Sequence, residues 1–208
     1  MGGVGQRHVI RSEKQLAALT SAARQEIADV LAEMGAVSVA EIAATLGRPA
    51  DALYFHLRTL KKAGLVRQVG YRSRAGRKEA LFRTVAPELW LRYEPRSETN
   101  RRGVNAIVSS MLRMGIRDFR RGFQGTDVTV SGPHRELWAL RKTGRLTLAD
   151  VAGVNRSIER LKRAVSKPHG RGRLYGITIL LTPLDHRHRE SKPSTKSPKA
   201  NKKGGQKK

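Results

Sequence analysis

The sequence predicts a mixed α+β chain: three short helices and a β-hairpin, then a long helix leading into a smaller α+β unit, then a basic tail without structure. Three observations carry this. Apolar residues recur at helical spacing between glycine stops as far as Gly64, alternate over 65–85, and return to helical spacing after Ser97. Glu94-Pro95-Arg96-Ser97 breaks the pattern between the two halves. Residues 186–208 hold Lys, Ser, Pro and Gly with almost nothing to bury. The expected segments are therefore 1–13 without structure, a first domain over 14–93, a second over 97–185, and a structureless tail over 186–208.

Each element has a local cause. Thr20 or Ser21 caps a helix in which Ile27, Val30, Leu31 and Met34 share a face until Gly35 stops it. Ser38 opens a second helix with a capping box, Glu41 standing three residues on, and Val39, Ile42, Ala43 and Leu46 form its buried stripe up to Gly47. Pro49 suits the first turn of a third helix, because that turn needs no backbone donor. This helix runs from about Ala50 to Ala63, with Leu53, Leu57 and Leu60 inward and Gly64 at its end. Leu65–Val69 reads as a strand and Lys78–Val85 as its return, joined by an arginine-bearing loop over Gly70–Arg77. Helix, helix, helix, hairpin is the order of a winged helix-turn-helix. Past Ser97, Val104, Ile107, Val108, Met111 and Leu112 stripe a long helix to about Phe123. Strands are expected at Asp127–Ser131, Glu136–Leu146 and Arg173–Leu181, and a helix at Leu148–Val165.

Composition narrows the function. Of 208 residues, 42 are Lys or Arg and 17 Asp or Glu, a formal charge of +25 that opposes compaction unless a polyanion neutralises it. The excess is uneven. Residues 1–47 hold four basic and five acidic side chains, residues 48–83 ten and two, and residues 186–208 nine and one. A near-neutral segment abutting a strongly basic one marks a binding face, with double-stranded DNA as the partner. Zero cysteines exclude a disulfide framework, a thiol nucleophile and thiolate metal sites. The longest apolar stretch, around Gly176–Leu184, is far below the ~20 residues of a membrane helix. No secretory core opens the chain, so a cytoplasmic, nucleoid-associated location is expected. No G-x-S-x-G, Walker or dinucleotide motif occurs, the acidic residues are isolated, and neither enzyme activity nor a cofactor is expected. Asp185-His186-Arg187-His188 reads as basic linker rather than a metal site, since its arginines repel cations.

The stretch ALYFHLRTLKKAGLV (Ala52–Val66), preceded by VAEIAATLG, resembles the ArsR-type winged helix-turn-helix of bacterial transcription regulators. The resemblance covers about residues 20–90. It implies a homodimer that binds operator DNA, commonly as a repressor released by a metal or another signal. Two departures stand out: no cysteine is present for thiolate sensing, and the chain carries a second segment that compact members lack.

Helical geometry then sorts the candidate DNA contacts. Ala50, Asp51, Tyr54, Phe55 and Arg58 lie in the N-terminal half of the third helix, the part that reaches base edges. Phe55 suits either a thymine methyl or packing against the protein. His56 sits on a boundary flank, where a hydrogen-bonded structural role competes with DNA contact. Arg48, Lys61 and Lys62 suit phosphates, as do Arg72, Arg74, Arg77 and Lys78 in the wing. The Val104–Leu112 stripe is the expected dimer seam. The sequence thus points to a sequence-specific, homodimeric regulator, against two alternatives: a non-specific architectural nucleoid protein, and an RNA- or protein-binding winged helix. A small-molecule effector fits such a regulator, but no pocket signature indicates one.

Overall fold

The computed structural model describes residues 7–166 and 172–184. In order these form β1 (Arg7–Ile10), α1 (Glu13–Ala18), α2 (Ala22–Met34), β2 (Val37–Ser38), α3 (Val39–Leu46), α4 (Ala50–Lys62), β3 (Val66–Arg74), β4 (Arg77–Thr84), β5 (Glu88–Leu91), α5 (Glu98–Gln124) and α6 (Leu148–Val165). The α+β class holds, with the winged helix N-terminal and the long helix after it.

Capping explains where the helices begin. Ser38 Oγ accepts the Glu41 N–H while the Glu41 carboxylate accepts the Ser38 N–H, so two orphan donors are satisfied at the start of α3. Gly47 closes α3 in the left-handed region, φ 61°, where a side chain would strain the backbone. Ser12 and Gln15 form the same reciprocal cap on α1. The core gathers Ile27 and Leu31 of α2, Ile42 of α3, Leu53, Leu57 and Leu60 of α4, and Leu65 and Val66 at the start of the hairpin.

The small sheet runs β2-β4-β3, antiparallel throughout. Its hairpin turns at Ala75-Gly76, both with positive φ (48° and 74°), as a two-residue type I′ turn requires. The wing is therefore longer and tighter than the expected loop over Gly70–Arg77. Tyr71 to Arg74 pair in register with Ala80 to Arg77, because the tight turn lets the ladder run to its tip.

Three elements at the ends of the winged helix were not expected: β1 and α1 before it and β5 after it. Residues 7–13, expected to lack structure, contain β1 and the cap of α1. β1 pairs in parallel with β5, Arg7 opposite Glu88 and Ile10 opposite Leu91, and Ile10 is buried. Trp90 of β5 meets two cations, the Arg7 guanidinium 4.2 Å and Lys162 Nζ of α6 4.7 Å from its ring. Glu88 Oε2 accepts from Trp90 Nε1 at 2.9 Å and from Arg7 Nε at 3.1 Å, and Lys162 Nζ stands 3.5 Å from it. One carboxylate and one indole thus hold α6 to the strand pair.

The apolar stripe of α5 divides in two. Val104 and Ile107 are buried in the winged-helix core, and Val108 and Met111 pack half-buried against it. Only Leu112, 41% exposed, is free among the five residues expected to form a dimer seam. The physical reason is that α5 packs on α1 and α2 of its own chain, which uses up the first half of the stripe.

The strands expected at Asp127–Ser131, Glu136–Leu146 and Arg173–Leu181 do not form. Around the turn at Gly132 two backbone bonds close, Arg135 N–H to Gly132 C=O at 3.3 Å and Glu136 N–H to Thr129 C=O at 2.7 Å, and neither continues as a ladder. The Glu136 carboxylate itself takes the Thr129 N–H at 2.7 Å, so that donor has no backbone partner with which to extend a ladder. Arg173 binds the carboxylates of Asp127 and Glu136 instead of pairing along its backbone. α6 forms as expected, capped by Thr147 and Asp150, with none of its residues fully buried. The chain divides after Thr178, and Ile179–Leu184 of the second unit carries no helix or strand. The expected tail over 186–208 lies outside the described residues.

The approach of α5 to α1 is close at Gly103: a Cβ there would stand 3.0 Å from Leu16 Cδ1 and 3.1 Å from Leu16 Cβ. Gly103→Leu is expected to cost about 1–3 kcal/mol through overpacking. A chemical-denaturation midpoint equal to or above that of the unmodified chain would contradict this.

Candidate nucleic-acid interface

Helix α4 is set by its buried leucines, Leu53, Leu57 and Leu60 being at most 3% exposed. At ~100° per residue the opposite face must point to solvent. Asp51, Tyr54, Phe55, Arg58, Lys61 and Lys62 are all exposed, and Ala50 is half-buried. Phe55 is 64% exposed; of its two expected readings, packing into the protein is not what this helix does with it. Among the described residues its aromatic neighbour is His56, edge to face at 5.6 Å.

His56 is half-buried and turned back toward the protein, its Nδ1 buried without a partner. Burial first, then the charges of Arg24 and Arg48, lower its pKa and favour the neutral ring. His56 is thus turned inward, but the hydrogen bond expected of a structural histidine is not made at Nδ1.

Two expected phosphate contacts are held by carboxylates. Arg48, in the turn before α4, gives its Nη2 to Glu26 Oε2 on α2. Arg72 of β3 stands 2.8 Å from Glu41 Oε2 and 3.4 Å from Glu79 Oε2. Those hydrogen bonds raise its pKa and keep it charged, so Arg72 braces the wing against α3. Arg74, Arg77 and Lys78, nearer the tip, are exposed, with Lys78 Nζ 4.4 Å from the ring of Tyr71. The structure thus exposes both the outer face of α4 and the cations of the hairpin tip, and it holds Arg48, His56 and Arg72 against the protein.

Sequence reasoning placed Glu41 only as a helix cap and did not single out Glu26 or Glu79. Glu41 was legible from its three-residue spacing to Ser38. Its second bond to Arg72 depends on the hairpin folding back over α3, which no spacing encodes.

Among the described residues no group of three or more His, Asp or Glu could hold a metal ion, and no helix is long and apolar enough to cross a membrane. The Asp185–His188 stretch lies outside those residues. In comparisons with known proteins, a family model described as a helix-turn-helix domain matches residues 19–69, the span from before α2 into β3. This supports a DNA-binding transcription regulator. No curated protein matches the chain.

Burial would raise the pKa of Glu41, but the Ser38 N–H and then Arg72 outweigh it and hold the carboxyl below 4.5. A carboxyl so depressed contributes stability that is complete above its unfolded pKa and lost as pH falls through its folded value. Glu41→Gln is therefore expected to be less stable than the unmodified chain at pH 7, by about 0.5–2 kcal/mol as for a lost cap. The gap should close as pH falls below 4.5, read by thermal melts across a pH series. A gap that widens on acidification would refute the assignment.

Proposed function

We propose that this protein is a sequence-specific transcriptional repressor of the ArsR type that binds operator DNA as a homodimer. The observation that carries the reading is the exposed N-terminal half of α4, which offers Asp51, Tyr54, Phe55 and Arg58 to solvent, in a domain whose hairpin tip also exposes Arg74, Arg77 and Lys78. A helix docked in the major groove reads bases with that half, and flanking cations hold phosphate. The reading assigns the chain no catalytic role and places it on the nucleoid. Its rival, a non-specific architectural protein, draws support from the +25 charge and the basic residues of 186–208, because phosphate contacts add affinity without sequence information.

Competition between a duplex selected from random DNA and bulk DNA at physiological salt separates the two. Arg58→Ala is expected to weaken binding to the selected duplex by about 1–3 kcal/mol and leave bulk DNA nearly unaffected. An equal loss on both would move Arg58 to the phosphate class, and no selectable duplex would favour the architectural reading.

The dimer reading rests on the second half of α5. Leu112, Ile116, Phe119 and Phe123 are 41%, 58%, 39% and 69% exposed and follow one another at spacings of four, three and four, the interval of a helix–helix seam. Phe119 and Phe123 stack at 6.2 Å. Ile116→Asp is expected to give a folded monomer by sedimentation with an unchanged melting temperature at high dilution. Val108→Asp, half-buried against the core, is expected to unfold the domain. A dimer that survives Ile116→Asp would exclude this seam.

A further inference from the structure

Glu26 stands at the meeting point of the DNA-facing turn and the long helix. Its side chain is 12% exposed, with Oε2 accepting from Arg48 Nη2 and Oε1 from Arg117 Nη2 of α5. The two arginines differ in what else they hold. Arg117 also binds Asp118, at 2.9 Å from Nε and 2.7 Å from Nη2. Arg48 has no second carboxylate among the described residues. Arg24 is the other cation nearby: its charge and that of Arg48 both bear on His56, and Arg24 itself caps the carbonyls of Ala17 and Ala18. Loss of the Glu26 charge would therefore leave Arg117 paired and Arg48 free, three residues before the exposed Asp51 at the start of the reading helix.

We propose that Glu26 is a positioning residue of the DNA-binding surface: its carboxylate withholds Arg48 from phosphate and fixes the turn ahead of α4 to α5. The inference rests on the DNA-binding reading above. Its consequence is that the chain trades one non-specific phosphate contact for a fixed approach of the reading helix. A free arginine at this turn adds affinity for every sequence alike, whereas a tethered one adds none. Through Arg117 the same carboxylate ties the reading turn to α5, so the long helix and the turn move together.

The test uses the full chain and a mixed-sequence DNA duplex over a series of salt concentrations. Glu26→Gln is expected to steepen the slope of log affinity against log salt by ~0.9, the increment of one added phosphate contact. Arg48→Ala is expected to keep the unmodified slope, and Glu26→Gln combined with Arg48→Ala to return to it. Glu26→Asp, which keeps the charge but retracts it from Arg48, should steepen the slope in the same direction and covers the case in which the glutamine variant is too unstable to titrate. Arg117→Ala loosens the same cluster without freeing Arg48 and should leave the slope unchanged, which a purely structural effect of Glu26 would not do. An unaltered slope in both Glu26 variants, as when Arg48 turns to Asp51, overturns the proposal. So does a steepening that persists without Arg48. If the unmodified chain binds the duplex with a clear salt slope while the Glu26 variants match it, only the positioning role fails. If the unmodified chain does not bind, the DNA-binding reading fails with it.

Discussion

The burial of three leucines on one side of α4 decides most of what this protein presents to its surroundings. A helix has one rotational setting that hides Leu53, Leu57 and Leu60 together, and that setting leaves Asp51, Tyr54, Phe55 and Arg58 no place but solvent. Full burial of each leucine is worth about 1.5–3 kcal/mol, so no rotation that hid Phe55 at their expense would compete. The same core continues through Gly64, φ 70°, into Leu65 and Val66. The reading helix and the root of the hairpin are therefore oriented by one set of contacts.

The carboxylates act as restraints on the arginines. Glu26 holds Arg48 and Arg117, Glu41 and Glu79 hold Arg72, and Glu88 holds Arg7 and Lys162. Half-exposed ion pairs of this kind contribute little stability individually. Their effect is geometric: they fix which cations stay against the protein and which remain available. A count of charge along the chain treats Arg72 and Arg74 as equivalent. The fold makes one a brace and the other a free cation, two residues apart.

Helices α2 to α4 were legible because their ends are written locally: Ser38 with Glu41, Gly47, and Gly64 each mark a boundary within one turn of it; α1 was missed, although Ser12 and Gln15 mark its start as locally. The exposed face of α4 was legible for the same reason, since periodicity fixes a face once the buried residues are known. The rest depended on partners distant in sequence. Strand alternation at Asp127–Ser131 and Arg173–Leu181 is a capacity to pair, and among the described residues neither segment finds the run of backbone partners that a ladder needs. The α5 stripe is continuous in sequence, but periodicity cannot say which apolar residues meet their own domain and which are left over. The core took Val104 and Ile107 and left Leu112 onward exposed. The ion pairs of Glu26 join residues 22 and 91 positions apart, beyond any local signal.

Arg7 and Glu88, 81 residues apart, meet in the parallel pair of β1 and β5. Parallel strands need a crossover connection, and here the crossover is the whole winged helix. Closing a loop of that length costs roughly 4 kcal/mol in chain entropy beyond a constant term, against four residue pairs of ladder. Such a contact cannot seed folding: it becomes affordable only after the helices and the hairpin have drawn its two ends together. The strand pair is thus a seal formed on a finished domain. Because Trp90 sits in that seal under Arg7, the indole stands where the domain's last contacts are made.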